Sequence, residues 1–140
     1  TAVVLCGRLY VAGSTGTAPD KLQMWDGPAW TRKADLPATR HGAASVAVDG
    51  KMWVIGGYIP GEDDTTSVII YDPETDSWTT GVPLPSPRFD CRATVEHAGS
   101  ILLVGGGAPL RFQDGAWQAL PANFGADVSR MPCVGSVLLG

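Results

Sequence analysis

The sequence predicts an all-β protein built from about three repeated units, each with four short antiparallel strands. Three observations predict this class. The 140 residues include 18 Gly and 11 Pro, which is well above the ordinary combined share of about 12% and suits a chain with many tight turns. A strand–turn–strand pattern recurs at shifts of 43 and 49 residues. No stretch shows a sustained helical period in its apolar residues.

The first half of each unit is a predicted hairpin that ends at a pair of small residues. Residues 44–57 read ASVAVDGKMWVIGG, residues 1–14 read TAVVLCGRLYVAGS, and residues 93–106 read ATVEHAGSILLVGG. In all three, a half-apolar strand reaches a turn and a more apolar strand follows. Glycines at the three turns permit the positive φ that a two-residue hairpin needs: Gly7, Gly50 and Gly99.

The second half of each unit is another predicted hairpin, with a tryptophan at the start of its last strand. Residues 68–80, VIIYDPETDSWTT, read as strand, turn and strand. Residues 22–31 and 110–118 do the same around Asp-Gly pairs, which are a strong hairpin signal between alternating runs. The three tryptophans are Trp30, Trp78 and Trp117.

The linkers between units repeat as well. Each contains a Leu-Pro pair followed by an arginine, and these arginines are Arg40, Arg88 and Arg130. Four strands in about 43–49 residues are what one blade of a β-propeller requires. We therefore predict one propeller region over residues 1–140. Its blade-like units lie at about 1–39, 40–87 and 88–129, and a fourth begins at 130–140.

The repeated features resemble the kelch family. The marks of that family are a Gly-Gly pair after the second strand, an aromatic residue near the end of the third, and a Trp six or seven residues later. The middle unit carries all of them as Gly56-Gly57, Tyr71 and Trp78. The third unit has Gly105-Gly106, Phe112 and Trp117, and the first has the more degenerate Gly13-Ser14, Trp25 and Trp30. The resemblance implies a partial kelch-type β-propeller.

Three blades do not make a closed ring, because a propeller needs about 4–8 blades and an open arc exposes sheet surface at both ends. We therefore expect further blades outside this sequence. The alternative is an arc of three blades that a partner chain completes.

The resemblance also implies a binding surface at one mouth of the central shaft, where kelch domains commonly receive peptide partners. Arg40, Arg88 and Arg130 share one repeat position there, and arginine grips carboxylates bidentately, which predicts an acidic partner segment. His41 and Phe89 join the candidate set because they follow two of these arginines. The alternative is that each arginine ties its own loop to a neighbouring blade.

The longest predicted loop is residues 58–67, YIPGEDDTTS. Binding residues gather on long loops of a rigid scaffold, and Tyr58 at the base of this loop is a candidate partner contact. Its acidic tip, Glu62-Asp63-Asp64, lacks the ligand spacing of a calcium loop. We expect a solvated tip and no metal site.

Charge and composition exclude several classes of function. The net charge is −4 with no cluster of Lys or Arg, which argues against nucleic acid and anionic membranes as partners. No apolar run reaches the roughly 20 residues of a membrane helix. The widely spaced Cys6, Cys91 and Cys133 form neither a disulfide framework nor a zinc site, and they favour a reducing, intracellular compartment.

The sequence predicts a protein–protein interaction module and no enzyme, with no catalytic residues and no cofactor. The family resemblance suggests the kelch half of an F-box or BTB ubiquitin-ligase adaptor. A structural subunit of a larger assembly is the first alternative. The second is an enzyme of the copper radical oxidase kind, which also uses kelch-type blades. His41 and His97 lie far apart in the repeat frame, so they do not assemble a copper site.

Overall fold

A computed structural model describes residues 1–13, 20–95 and 99–121, and in these ranges the chain forms three four-stranded antiparallel sheets. Sheet 1 contains β1 (Ala2–Leu5), β2 (Arg8–Ala12), β3 (Leu22–Trp25) and β4 (Trp30–Lys33). Sheet 2 contains β5 (Ala44–Val48), β6 (Lys51–Ile55), β9 (Val68–Asp72) and β10 (Ser77–Thr80), and a small hairpin of β7 (Tyr58–Ile59) and β8 (Asp63–Asp64) is inserted after β6. Sheet 3 contains β11 (Arg92–Val95), β12 (Ile101–Val104), β13 (Leu110–Gln113) and β14 (Ala116–Ala119).

These sheets confirm the predicted fold class, a partial propeller with three four-stranded blades. Each strand pairs with the next strand of its own blade, except that β6 pairs with β9 across the inserted hairpin. The innermost strand β5 contacts both β1 and β11, as expected where blades converge on a common axis. The predicted fourth unit at 130–140 lies outside the described residues.

The antiparallel strands give every blade two distinct ends. We call one the loop end; it carries the segments that lead into and connect the blades, at residues 40–43, 56–67, 81–91 and 105–109. The other is the turn end, with tight turns at residues 49–50, 73–76 and 114–115. Among the described residues no helix is long and apolar enough to cross a membrane.

The hydrophobic core lies between the blades. Successive residues of a strand point to opposite faces of its sheet, so the middle blade is buried on both sides. Met52 and Val54 of β6 pack toward blade 1 with Leu22. Ile55 packs toward blade 3 with Leu103. This placement explains why the second strand of each unit is the more apolar one.

An aromatic pair recurs in each blade, and in blades 2 and 3 its tryptophan also bonds to the preceding linker. Trp30, Trp78 and Trp117 lie directly opposite Trp25, Tyr71 and Phe112, with ring centroids 5.0–5.3 Å apart. The Trp78 indole donates to Ala34 O at 2.9 Å, and the Trp117 indole donates to Val82 O at 3.0 Å. Trp30 of blade 1 is 50% exposed.

Candidate functional site

Arg40 and Arg88 occupy equivalent positions at the loop end and make equivalent bonds. Arg40 Nη1 donates to Gly56 O and Ser67 O, both at 3.1 Å. Arg88 Nη1 donates to Gly105 O at 3.1 Å. Burial lowers the pKa of both guanidiniums by desolvation, although arginine keeps its charge in proteins. Each arginine therefore holds the loop that follows the second strand of its own blade.

This geometry bears on the predicted binding of an acidic partner segment by Arg40, Arg88 and Arg130. Arg88 is only 4% exposed and Arg40 is half-buried, and within residues 1–13, 20–95 and 99–121 neither forms an ion pair with a carboxylate. Arg130 lies outside the described residues. The side chains of Arg40 and Arg88 bind carbonyls of their own blades, and not of a neighbouring blade as the alternative supposed. A role of the three arginines in partner binding stays a prediction.

The glycine pairs after the second strands fix the backbone on which His41 and Phe89 sit. A Cβ added at Gly57 (φ +100°) would lie 2.9 Å from His41 O. At Gly106 (φ +64°) it would lie 2.6 Å from Phe89 O. Both distances are shorter than real Cβ atoms accept, so only glycine fits. In addition, Gly57 N–H donates to the carbonyl of Arg88 at 2.7 Å, which joins blade 2 to the segment that leads into blade 3.

His41, Tyr58 and Phe89, three of the predicted site residues, meet at this end of the molecule, and we call them the aromatic cluster. His41 and Tyr58 exchange two backbone hydrogen bonds of 3.0 and 2.8 Å, and their rings stack at a centroid distance of 6.4 Å. The Phe89 ring stands edge-on to Tyr58, also at 6.4 Å. Tyr58 is 37% and Phe89 45% exposed, so large aromatic side chains remain in contact with solvent.

The backbone of Gly42 lies directly against the Phe89 ring. It has a φ of +61°, and a Cβ added there would lie 2.5 Å from Cε2 of Phe89 and 2.8 Å from its Cδ2. Phe89 from the start of blade 3 therefore rests on the backbone of blade 2. The aromatic cluster spans the boundary between these two blades.

The predicted loop 58–67 is a small hairpin, and sequence reasoning missed its strands. Tyr58 pairs with Asp64, and Ile59 pairs with Asp63. Glu62, Asp63 and Asp64 are exposed, as expected for the acidic tip. The available signal was the Pro60-Gly61 dipeptide, a turn marker. It lies between strands of only two residues each, which are too short for an alternating pattern.

An ion pair next to the aromatic cluster was also missed by sequence reasoning. Asp90 follows Phe89, and its carboxylate accepts from Arg92 at 3.1 Å, with both side chains mostly exposed. Over the described ranges no group of three or more His, Cys, Asp and Glu side chains is placed to hold a metal ion.

Comparisons with known proteins agree with the repeat pattern. The family model of the Kelch motif matches residues 39–85. An F-box/kelch-repeat protein of Arabidopsis thaliana is 33% identical over 74% of this chain and 28% of its own length. Kelch-like protein 35 of Mus musculus is 32% identical over 75% of the chain and 18% of its own length. Kelch repeat and BTB domain-containing protein 12 of Danio rerio is 28% identical over 72% of this chain and 19% of its own length.

The chain thus spans less than a third of the length of these relatives. The relatives are kelch-repeat proteins, and they support a protein-interaction module. The motif match, the relatives and the three four-stranded blades lead to one conclusion: this chain belongs to the kelch-repeat family.

Proposed function

We propose that the chain is the partner-recognition part of a kelch-repeat adaptor, and that the aromatic cluster of His41, Tyr58 and Phe89 is its contact surface. The single observation that carries the proposal is the exposure of Tyr58 and Phe89 side by side at the loop end. Exposed aromatic side chains held on a rigid scaffold are the usual anchors of a protein interface. Close glycine contacts fix the backbone of His41 and Phe89, and two backbone hydrogen bonds join Tyr58 to His41, so little backbone freedom is lost on binding.

The test uses the full-length protein and the double variant Tyr58→Ser, Phe89→Ser. Affinity purification with quantitative mass spectrometry compares the proteins that each form captures. The matched control is Tyr58→Phe, Phe89→Tyr, which keeps two aromatic rings in place. We expect partners that are lost from the serine variant and retained by the control, with capture measured at a temperature where both variants are folded.

The same experiment separates the proposal from its main alternative. A purely structural subunit would keep its neighbours in both variants, because those contacts would lie elsewhere on the blades. Captured proteins that do not differ between wild type and the serine variant would therefore reject the aromatic cluster as the contact surface.

The adaptor role rests on two of the relatives, whose names include an F-box and a BTB domain. By analogy, the propeller selects a substrate and a second domain connects it to a ubiquitin ligase. The full-length sequence tests this step directly. An F-box or BTB segment beside the blades supports the adaptor, and a full-length chain without either would leave a recognition module of another kind.

A further inference from the structure

We infer that the aromatic cluster binds the positively charged side chain of a lysine- or arginine-containing segment of the partner. This assignment rests on the proposed function, because it names the chemistry of the segment that the same surface takes. It is the opposite of the acidic segment that the arginines predicted.

The first step concerns the side chains next to the Tyr58 ring. Tyr58 pairs with His41 on one side and with Asp64 on the other. Directly paired residues of neighbouring antiparallel strands have their Cβ atoms on the same face, about 4.5–5.5 Å apart. His41, Tyr58 and Asp64 therefore form a row on one face, with a carboxylate at one end and Phe89 edge-on to the central ring.

The second step concerns the charge around this row. The exposed charged side chains of residues 58–67 and 88–92 are four carboxylates and one guanidinium, which are Glu62, Asp63, Asp64, Asp90 and Arg92. Arg92 is already paired with Asp90. The guanidinium of Arg88, which could have balanced these carboxylates, is buried against Gly105 O. Asp64 lies on the same face as Tyr58, whereas Asp63 pairs with Ile59 and lies on the opposite face of the hairpin. The exposed charge next to the aromatic cluster is therefore net negative, with Asp64 as the carboxylate beside the Tyr58 ring.

The third step combines the exposed aromatic rings with the negative charge next to them. The face of an aromatic ring attracts a cation placed within about 6 Å of its centroid, and nearby carboxylates add a favourable Coulomb interaction. A lysine or arginine side chain satisfies both, because its aliphatic stem packs on the rings while its charged head stays near the carboxylates. An acidic segment would meet like charges at the same place, which disfavours binding.

The experiment uses the full-length protein and arrays of synthetic peptides with randomised flanks and a central Lys, Arg, Gln or Glu. We expect enrichment of Lys- and Arg-centred peptides over Gln-centred ones, loss of binding when the lysine is acetylated, and weaker binding at higher salt. Absence of enrichment over the Gln-centred peptides overturns the inference, and so does enrichment of Glu-centred ones.

Two charge variants make the test specific to this surface. Glu62→Gln, Asp63→Asn, Asp64→Asn removes three carboxylates from the hairpin. Its matched control removes three exposed carboxylates from the turn end: Asp49→Asn, Glu74→Gln, Asp114→Asn. The hairpin variant should bind the best Lys-centred peptide about tenfold more weakly, the sum of three modest surface interactions, and the control should bind like wild type. Equal binding by both variants overturns the inference.

The serine variants of Tyr58 and Phe89 separate this inference from the proposed function. If they abolish partner capture while the hairpin variant and the central peptide residue have no effect, the contact surface stands and its preference for cations falls. If neither set of variants changes binding, both the contact surface and its preference for cations are rejected.

Discussion

Asp76 connects blade 2 to the linker that leaves blade 1, and its replacement tests how neighbouring blades are joined. Its Oδ1 accepts from the Tyr71 hydroxyl at 2.6 Å and from the Ala34 N–H at 3.0 Å. The Trp78 indole donates to Ala34 O, so blade 2 holds both backbone groups of Ala34. The residue has a φ of +49°, a conformation that asparagine tolerates well. Asp76→Asn therefore removes the charge without adding backbone strain.

The expected loss of unfolding free energy is about 1 kcal/mol. A hydrogen bond to a charged group contributes about 1.5–3 kcal/mol and a neutral one about 0.5–1.5 kcal/mol, so two bonds that lose their charge assistance would lose about 2 kcal/mol if fully buried. Asp76 is exposed, and solvent reduces the difference to about half. Urea unfolding of the full-length protein measures the loss, and hydrogen exchange at the Ala34 amide locates it.

The lowered pKa of Asp76 determines how the stability difference between wild type and Asp76→Asn changes with pH. Hydrogen bonds from the Tyr71 hydroxyl and then from the Ala34 N–H hold the pKa of Asp76 below its usual range. A carboxyl whose pKa is lowered on folding stabilises the fold above its unfolded pKa of about 3.9, and that contribution is lost as the pH falls through the lower folded value. The difference between wild type and Asp76→Asn should therefore be largest near neutral pH and shrink below about pH 4.

The matched control for Asp76→Asn is Asp114→Asn. Asp114 has nearly the same φ, +51°, and is exposed at the corresponding turn of blade 3, but none of the hydrogen bonds found among the described residues uses its carboxylate. We expect a change within about 0.5 kcal/mol, as for an ordinary surface position. An equal loss in both variants, or a loss for Asp76→Asn that does not vary with pH, would refute the reasoning.

Three further substitutions have defined outcomes. Trp117→Phe keeps an aromatic ring but removes the donor to Val82 O; it should cost about 1 kcal/mol in urea unfolding, and no change would show that the bond adds nothing. Gly106→Ala places a Cβ 2.6 Å from Phe89 O and should cost about 2 kcal/mol or more through backbone strain, seen as a lower melting temperature. Arg88→Met should lower the unfolding free energy by about 2 kcal/mol in thermal melting, because the Gly105 carbonyl loses its donor. Partner capture by the folded protein should not change. Unchanged stability with weaker capture would instead make Arg88 a partner-binding residue.

The strands were predictable from the sequence because each is marked locally. The Asp49-Gly50 turn, for example, separates a strand with alternating burial from a more continuously apolar strand, and a hairpin of this kind is specified by neighbours in sequence. The Trp78 position followed from the same repeat. Its ring is half-buried against the core between blades 1 and 2.

Features that depend on distant residues could not be predicted. The hairpin of β7 and β8 is so short that its register depends on the bridge between Tyr58 and His41, which are 17 positions apart in the sequence. The direction of the Arg88 side chain is set by the carbonyl of Gly105 in the next strand pair. A repeat position shows that equivalent residues share an environment, but it does not show whether that environment is solvent or backbone.

The rings of Tyr58 and Phe89 come from either side of one blade boundary, which links ligand binding to the stability of that boundary thermodynamically. A ligand that requires both rings in place favours the packed arrangement, and at 100 times its Kd it adds about 2.7 kcal/mol of stability. The coupling is reciprocal: a substitution that loosens the core between blades 2 and 3, such as Leu103→Ala, would weaken affinity without touching the ligand. A bound partner would then stabilise the packing between blades 2 and 3, and a mutation far from the binding surface would weaken it.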